Sequence, residues 1–256
     1  MERCSFEHNG ITLSYLDPGG SVQALIALHA HWMEGQTFAS LATALAPQWR
    51  VIALDQRGHG YSDHGSTYTR SDYLDDLKSL FVHLGLERAV LLGNSLGGVN
   101  AYQFAAHHPE SVRALIIEDI GAVIADDTSF VLAWYGTFKT RGDLEEGIGP
   151  RLVPYLRNSF RSVPGGWRLA FDPYEMVRSQ ESLNGDHWED WLATTCPALL
   201  VRGQNSRVTT QEHVEEMAAR RPHTMLRSLE GGHVVHFDNQ AGFTAIVQEF
   251  LARLPE

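Results

Sequence analysis

Short apolar runs recur along the chain, and each of them ends in turn residues. Six runs read ALIALH, RVIALD, AVLLGN, RALIIED, PALLVRG and, more weakly, TMLRSLEG. Runs that are apolar at consecutive positions are typical of strands buried on both faces, as in a parallel sheet. Two earlier segments, CSFEHNG and ITLSYLDPGG, predict a hairpin that turns at Asn9 and Gly10.

Segments with helical periodicity separate these runs. TRSDYLDDLKSLFVHLGL has an apolar face, and Thr69 with Asp72 predicts a capped helix start. In VTTQEHVEEMAARRP, Thr209 and Glu212 have the spacing of a capping box. A last helix is expected to begin at Asn239. Strands that alternate with helices predict an α/β fold, doubly wound around a mostly parallel sheet.

Residues 122–190 interrupt this alternation, because they contain no good strand run. They are rich in aromatic residues: Trp134, Tyr135, Phe138, Tyr155, Phe160, Trp167, Phe171 and Tyr174. We expect a helical cap, whose aromatic side chains either form its own packing core or line an apolar pocket. The core domain would then comprise residues 1–121 and 191–256.

Length and charge restrict the function further. A chain of 256 residues suits one large α/β domain or two small ones. The net charge of −11 argues against a nucleic-acid partner. No apolar run approaches the roughly 20 residues that span a membrane, and the opening MERCSFEHNG lacks an apolar signal-peptide core. We expect a cytoplasmic protein with a small-molecule substrate and no membrane partner; a homodimer is compatible with the sequence.

The most informative segment is AVLLGNSLGG, in which a strand is followed by a turn and a helix. Ser95 lies between Gly93 and Gly97 in a G-x-S-x-G pattern. A serine nucleophile on so tight a turn has a strained backbone, and residues two positions away must be small. The following helix N-terminus also directs free N–H groups toward whatever the serine attacks.

A serine nucleophile needs a base, and LEGGHVVHFDNQ contains two candidates. His233 lies on the loop before the final helix, at the sheet edge where Ser95 also lies. His236 is the competitor, and a packing or loop hydrogen-bonding role is expected for it.

These segments together resemble the α/β-hydrolase family over nearly the whole chain. The matching motifs are LHAHW, LDQRGHGYSD, GNSLGG and GGHVVHFDN, after the predicted third, fourth, fifth and eighth strands. The resemblance implies an eight-stranded sheet and a Ser–His–acid triad under a helical cap. Carried over by position, Ser95 is the nucleophile and His233 the general base, then acid. The oxyanion hole would be formed by the backbone N–H groups of His31 and Leu96.

The acid is where this sequence departs from the family pattern. The loop after the seventh predicted strand, VRGQNSRVTT, has no carboxylate. Glu118 and Asp119 follow the sixth strand instead, and only one of them can easily point toward His233, because side chains alternate along a strand. Asp119 is preferred, being closer to the loop. Two alternatives stay open: both carboxylates only brace the strand end, or neutral Ser206 or Asn205 orients the histidine.

A metal site is an alternative explanation of the loop after the third strand. His29 and His31 are two positions apart, and Glu34 follows. A metal hydrolase would need further histidines at later strand ends. Those ends carry side chains that suit a triad better: Asp55, Ser95, Asp119 and His233. We therefore expect no metal, and a bracing role for Asp55 and Arg57.

The leading interpretation is a cofactor-free serine hydrolase that forms an acyl-enzyme on Ser95. Its substrate would be an ester, or a lactone, thioester or amide, of small to medium size and largely apolar. One alternative is C–C bond hydrolysis of diketone-type substrates. Another is a small-molecule receptor or signalling protein built on a hydrolase fold. The sequence does not identify the substrate.

Overall fold

The computed structural model describes residues 1–255. Its longer strands coincide with the six apolar runs and the hairpin expected from the sequence. Within the described residues the strands are, in chain order, β1 (Glu2–His8), β2 (Ile11–Asp17), β3 (Ala24–Leu28), β4 (Arg50–Leu54), β5 (Ala89–Asn94), β6 (Val112–Glu118), β7 (Val123–Ile124), β8 (Phe160–Val163), β9 (Gly166–Leu169), β10 (Gly185–Asp186), β11 (Ala198–Gly203) and β12 (Thr224–Leu229).

Eight of these strands form one sheet in the order β1-β2-β4-β3-β5-β6-β11-β12. β1 and β2 pair antiparallel, β2 also pairs antiparallel with β4, and every further pair is parallel. The hairpin turns at Asn9 and Gly10 with φ of 48° and 80°, which confirms that prediction. Because the carboxyl ends of the parallel strands share an edge, the loops after them meet there.

The helices that connect the strands are α1 (Ala39–Leu45), α2 (Arg70–Leu84), α3 (Leu96–His107), α4 (Arg141–Ile148), α5 (Val153–Leu156), α6 (Pro173–Leu183), α7 (Trp188–Leu192), α8 (Gln211–Arg220), α9 (Val235–Asp238) and α10 (Gln240–Leu251). Short 3-10 helices cover Gly35–Phe38, Pro109–Ser111, Ser129–Trp134 and Arg157–Ser159. None of the helices in the described part of the chain is both long and apolar enough to cross a membrane.

Two of the three helix starts were predicted correctly. Thr69 forms a capping box with Asp72 at α2, and the side chain of Asn239 caps α10. The expected cap Thr209 is wrong by one residue, since it is the Thr210 hydroxyl that accepts the His213 amide at the start of α8. Both threonines precede the helix, so the spacing alone did not distinguish them.

Apolar side chains fill both faces of the sheet. On one face α2, α3 and α8 contribute Leu77, Phe104 and Met217. On the other face α1 and α10 contribute Leu41 and Phe250. The sheet is therefore covered on both sides, as the unbroken apolar runs predicted.

The segment of residues 122–190 differs from the expectation of a helical cap without strands. It carries α4 to α6, but it also contains the hairpin β8–β9, and its ends pair through β7 and β10. Strands of two to four residues are too short to give a recognisable alternation of apolar and polar positions. Its aromatic residues divide between both expected roles: Trp134 and Phe171 are buried, whereas Tyr155 lines a cavity.

Candidate active site

Ser95 lies at the junction of β5 and α3 in a strained conformation. Its φ of 53° and ψ of −117° place a non-glycine residue at positive φ. Three backbone hydrogen bonds hold it there. The Ser95 amide donates to the Glu118 carbonyl at 3.1 Å, and its carbonyl accepts from Gly98 at 2.8 Å and Val99 at 3.1 Å.

The glycines around Ser95 are required by close backbone approach. A Cβ on Gly93 would lie 2.1 Å from the carbonyl oxygen of Gly97. A Cβ on Gly97 would lie 2.1 Å from the carbonyl oxygen of Leu28 at the end of β3. The G-x-S-x-G pattern thus lets the turn pack directly against the neighbouring strand.

Gly97→Ala is expected to lower the free energy of unfolding by about 3 kcal/mol or more, because backbone must move to admit the methyl group. Gly142→Ala is the matched control, since Gly142 is exposed on α4 and a Cβ there would meet only Thr140 Oγ1 at 3.6 Å. Because Gly142 lies in the exposed first turn of α4, its change should leave the free energy of unfolding within about 0.5 kcal/mol of the wild-type value. Urea denaturation measures both, and equal stabilities would contradict the packing assigned to Gly97.

His233 lies on the loop between β12 and α9 and contacts the buried carboxylate of Asp119. His233 Nδ1 is 2.7 Å from Asp119 Oδ2. The Asp119 side chain is fully buried, whereas 28% of the His233 side chain is exposed. Asp119 Oδ1 also accepts from the Gly203 amide at 3.0 Å, and Oδ2 accepts from the Ser206 hydroxyl. The imidazole is accessible on one side and anchored on the other.

Glu118 is paired with the other candidate histidine. Its carboxylate accepts from the His236 amide at 2.8 Å and from His236 Nδ1 at 2.7 Å. His236 Nε2 lies 2.7 Å from Thr37 Oγ1, and the ring stacks on Phe38 at 4.5 Å. This pair is buried, so Glu118 is not available to His233, and His236 has the packing and hydrogen-bonding role that was expected.

The neutral candidates in the loop after β11, Ser206 and Asn205, make no hydrogen bond to the His233 ring, so neither of them orients it. The Ser206 hydroxyl donates to Asp119, behind the imidazole, and Asn205 lines the cavity. A residue that the sequence analysis missed is Asn94, whose side-chain Nδ2 donates to the backbone carbonyl of His233 at 3.0 Å. In the sequence, Asn94 could have been recognised as a polar residue at the end of an otherwise apolar strand, directly before Ser95.

Ser95 and His233 line one cavity of about 640 Å³. Among residues 1–255 the structure shows no hydrogen bond between Ser95 Oγ and His233 Nε2, a contact that is often long in unliganded enzymes. The cavity wall comes from the loop after β3, residues 122–190 (the inserted segment), the loop after β11 and the loop before α9. It is mainly apolar, with four charged residues among its lining: Asp126, Arg151, Arg207 and Asp238. Its apolar and aromatic residues are Ala30, Trp32, Met33, Phe130, Leu152, Tyr155, Leu156, Val208 and Val234.

The backbone amides expected to form the oxyanion hole belong to Leu96, directly after Ser95, and to His31. Leu96 is the first residue of α3, where an amide has no intrahelical acceptor. His31 is on the loop after β3 and lines the cavity. In the described part of the chain, neither amide donates to a protein acceptor.

The residues that resembled a metal clamp have other partners. His29 Nε2 accepts from the Gln56 amide at 3.0 Å, so its Nδ1 donates to the Ala30 carbonyl at 2.8 Å. Burial lowers the pKa of His29 to about 4. Glu34 pairs with Arg161 at 2.6 Å. These partners account for both nitrogens of His29 and for the Glu34 carboxylate.

The motif after β4 braces the neighbouring loops, as expected. The Asp55 carboxylate accepts from the amides of Gly35 at 2.7 Å and Tyr61 at 3.1 Å. Arg57 forms a two-point ion pair with Asp76 on α2, at 2.7 and 2.8 Å. Neither residue contacts Ser95 or His233.

Comparison with known proteins gives the same family. A family model described as alpha/beta hydrolase fold matches residues 23–190. The 2-(acetamidomethylene)succinate hydrolase of Mesorhizobium japonicum is 28% identical over 229 residues, covering 83% of this chain and 81% of that protein. An uncharacterized protein of Mycobacterium tuberculosis is 35% identical over 261 residues, covering 91% of this chain and 76% of that protein. The crystal structure of E-2-(acetamidomethylene)succinate hydrolase has a TM-score of 0.86 at 25% identity, covering 98% of this chain and 100% of that chain. The chain belongs to the α/β-hydrolase family and is a hydrolytic enzyme.

Proposed function

We propose that this hydrolase cleaves an ester of a small to medium, largely apolar substrate through an acyl-enzyme on Ser95. The observation that carries the proposal is the hydrogen bond from His233 Nδ1 to the buried Asp119, at one cavity with a serine on a strained turn. This is the donor–acceptor arrangement that a serine nucleophile requires.

The proposed reaction begins with proton transfer from the serine. Because His233 Nδ1 donates to Asp119, Nε2 is free to accept the Ser95 proton as Oγ attacks the substrate carbonyl. Asp119 then stabilises the imidazolium, and the amides of His31 and Leu96 donate to the oxyanion. His233 returns the proton to the leaving alcohol, and water activated by the same imidazole releases the acid.

The cavity supports the proposed substrate class. A volume of about 640 Å³ with mainly apolar walls fits an acyl group of modest length. The name of the Mesorhizobium relative describes hydrolysis of an acetamido compound. Amide, lactone and thioester bonds are therefore kept beside the ester as substrates of the same mechanism.

A panel of p-nitrophenyl esters with acyl chains of increasing length tests this proposal. We expect purified protein to hydrolyse short and medium chains and to lose activity on chains that exceed the cavity. A receptor built on this fold would not need a carboxylate beside His233, whereas Asp119 Oδ2 lies 2.7 Å from His233 Nδ1. Binding of esters without hydrolysis of any of them would favour that alternative over the enzyme.

Chelation is expected to leave ester hydrolysis unchanged, because amide N–H groups rather than a Lewis acid would stabilise the oxyanion. The measurement is the rate of p-nitrophenyl butyrate hydrolysis before and after dialysis against EDTA, and after zinc is added back. Activity that disappears with EDTA and returns with zinc would instead support a metal site at His29 and His31.

A further inference from the structure

The imidazole of His31 has no role in the mechanism above, which uses only its backbone amide. His31 as a residue is 6% exposed, and it lines the cavity with Ser95 and His233. Its Nε2 lies 2.8 Å from the hydroxyl of Ser179, which lies on α6 in the inserted segment. The Ser179 hydroxyl lies 2.7 Å from that of Tyr73, which lies on α2 in the core. A buried relay of three polar groups thus connects core, insertion and cavity.

The direction of this relay follows from hydrogen-bond satisfaction. The buried Tyr73 hydroxyl has Ser179 Oγ as its hydrogen-bond partner within residues 1–255, so its proton is satisfied only by donation to that oxygen. The Ser179 proton is then available for His31 Nε2, which must accept it. The opposite direction would leave the Tyr73 proton buried without an acceptor, which costs about 1–3 kcal/mol. His31 is therefore in the tautomer that carries its proton on Nδ1.

The Nδ1 atom of His31 is the ring nitrogen without a protein partner in the described part of the chain. It makes no hydrogen bond within residues 1–255. The side-chain polar atoms of these residues that lack a partner and are also fully buried do not include it. It consequently has accessible surface, and the cavity is the space that His31 lines. An N–H group in this position has no acceptor among residues 1–255.

The ring is also kept neutral. Burial lowers the pKa of His31 well below its usual value, and the neighbouring His59 and Arg70 lower it further. A neutral imidazole in a fixed tautomer is a donor of constant direction, unlike a hydroxyl that can rotate.

We propose that the His31 imidazole donates a hydrogen bond from Nδ1 to an acceptor oxygen of the bound substrate, and that Tyr73 and Ser179 position it by fixing its tautomer. The kinetic part of this inference rests on the proposed serine mechanism, whereas the tautomer does not. Since Ser179 belongs to the insertion and Tyr73 to the core, the donor is fixed only while the two are docked.

Nitrogen NMR of protein labelled in histidine tests the tautomer directly, with His31→Gln to assign the signals. In the wild type we expect the proton on Nδ1 and none on Nε2. Ser179→Ala and Tyr73→Phe should each raise the Nε2-protonated population, whereas Ser162→Ala and Tyr61→Phe, at exposed positions, should not. A wild-type proton on Nε2 would overturn the inference whether or not the enzyme acts through Ser95.

Ester kinetics test contact with the substrate. His31→Ala keeps the backbone amide and is expected to lower kcat/KM roughly 10-fold, the effect of one lost hydrogen bond. Ser179→Ala should lower it less, and should add nothing in the His31→Ala background, because both changes remove the same donor. If the losses of kcat/KM in the two single variants multiply in the double variant, Ser179 has a merely structural role.

If the wild-type enzyme hydrolyses esters and His31→Ala has the same kcat/KM, the contact with the substrate is rejected while the proposed function stays intact. If the wild type hydrolyses no ester, the proposed function fails and the NMR result decides the tautomer alone. Should His31→Ala not fold, Ser179→Ala and Tyr73→Phe still test the relay by NMR.

Discussion

Asp119→Asn is expected to lower kcat by about 10⁴-fold, the size of the effect when the acid of a serine-protease triad is changed in the same way. In this protein Asp119 Oδ1 accepts from the Gly203 amide while Oδ2 accepts from His233 Nδ1. An asparagine that keeps its oxygen on Gly203 presents an NH₂ group to the imidazole. His233 would then accept at Nδ1 and carry its proton on Nε2, where it cannot take the proton of Ser95.

Two other carboxylates provide controls for this prediction. Asp126→Asn removes a charge that lines the same cavity without contacting His233, and is expected to leave kcat within a few-fold. Glu118→Gln should lower the free energy of unfolding by about 1–3 kcal/mol, because it disturbs two buried hydrogen bonds to His236. Its kcat should stay much closer to that of the wild type. A large loss of kcat in Glu118→Gln with near-normal turnover in Asp119→Asn would reverse the assignment of the acid.

Ser95→Ala is expected to abolish measurable ester hydrolysis while leaving the fold intact, because no acyl-enzyme can form without the hydroxyl. Turnover of p-nitrophenyl butyrate and thermal unfolding are measured on the same preparation. Ser206→Ala is compared with Ser95→Ala in the same assay. It removes the hydroxyl that donates to Asp119 but keeps the contact between Asp119 and His233. We expect it to retain most of the activity. Full activity in Ser95→Ala would reject the proposed mechanism.

The main sheet was predictable because its strands are unbroken apolar runs, and the hairpin because Asn-Gly favours the positive φ that its turn needs. The short strands of residues 122–190 were not, since each extends for only two to four residues. The cap of α8 was wrong by one position because Thr209 and Thr210 satisfy nearly the same pattern. Local sequence therefore predicted elements well and their ends less well.

The candidate site shows where sequence reasoning ended. Two adjacent carboxylates and two histidines three residues apart allow several pairings, and the partners are more than 100 residues apart in the chain. Glu118 is the last residue of β6, whereas Asp119 follows the strand at a φ of 49°. The choice between them depends on this turn, which the sequence pattern does not reveal. The contact of His31 with Ser179 was beyond prediction, because it requires the inserted segment to be docked on the core.

In the proposed mechanism Ser95 is a nucleophile that His233 activates. Its most direct test is the intact mass of the protein after reaction with a fluorophosphonate, followed by mapping of the modified peptide. We expect one adduct per chain, located on Ser95, absent in Ser95→Ala and formed far more slowly in Asp119→Asn. An unmodified wild-type protein, or an adduct on any other residue, would contradict it.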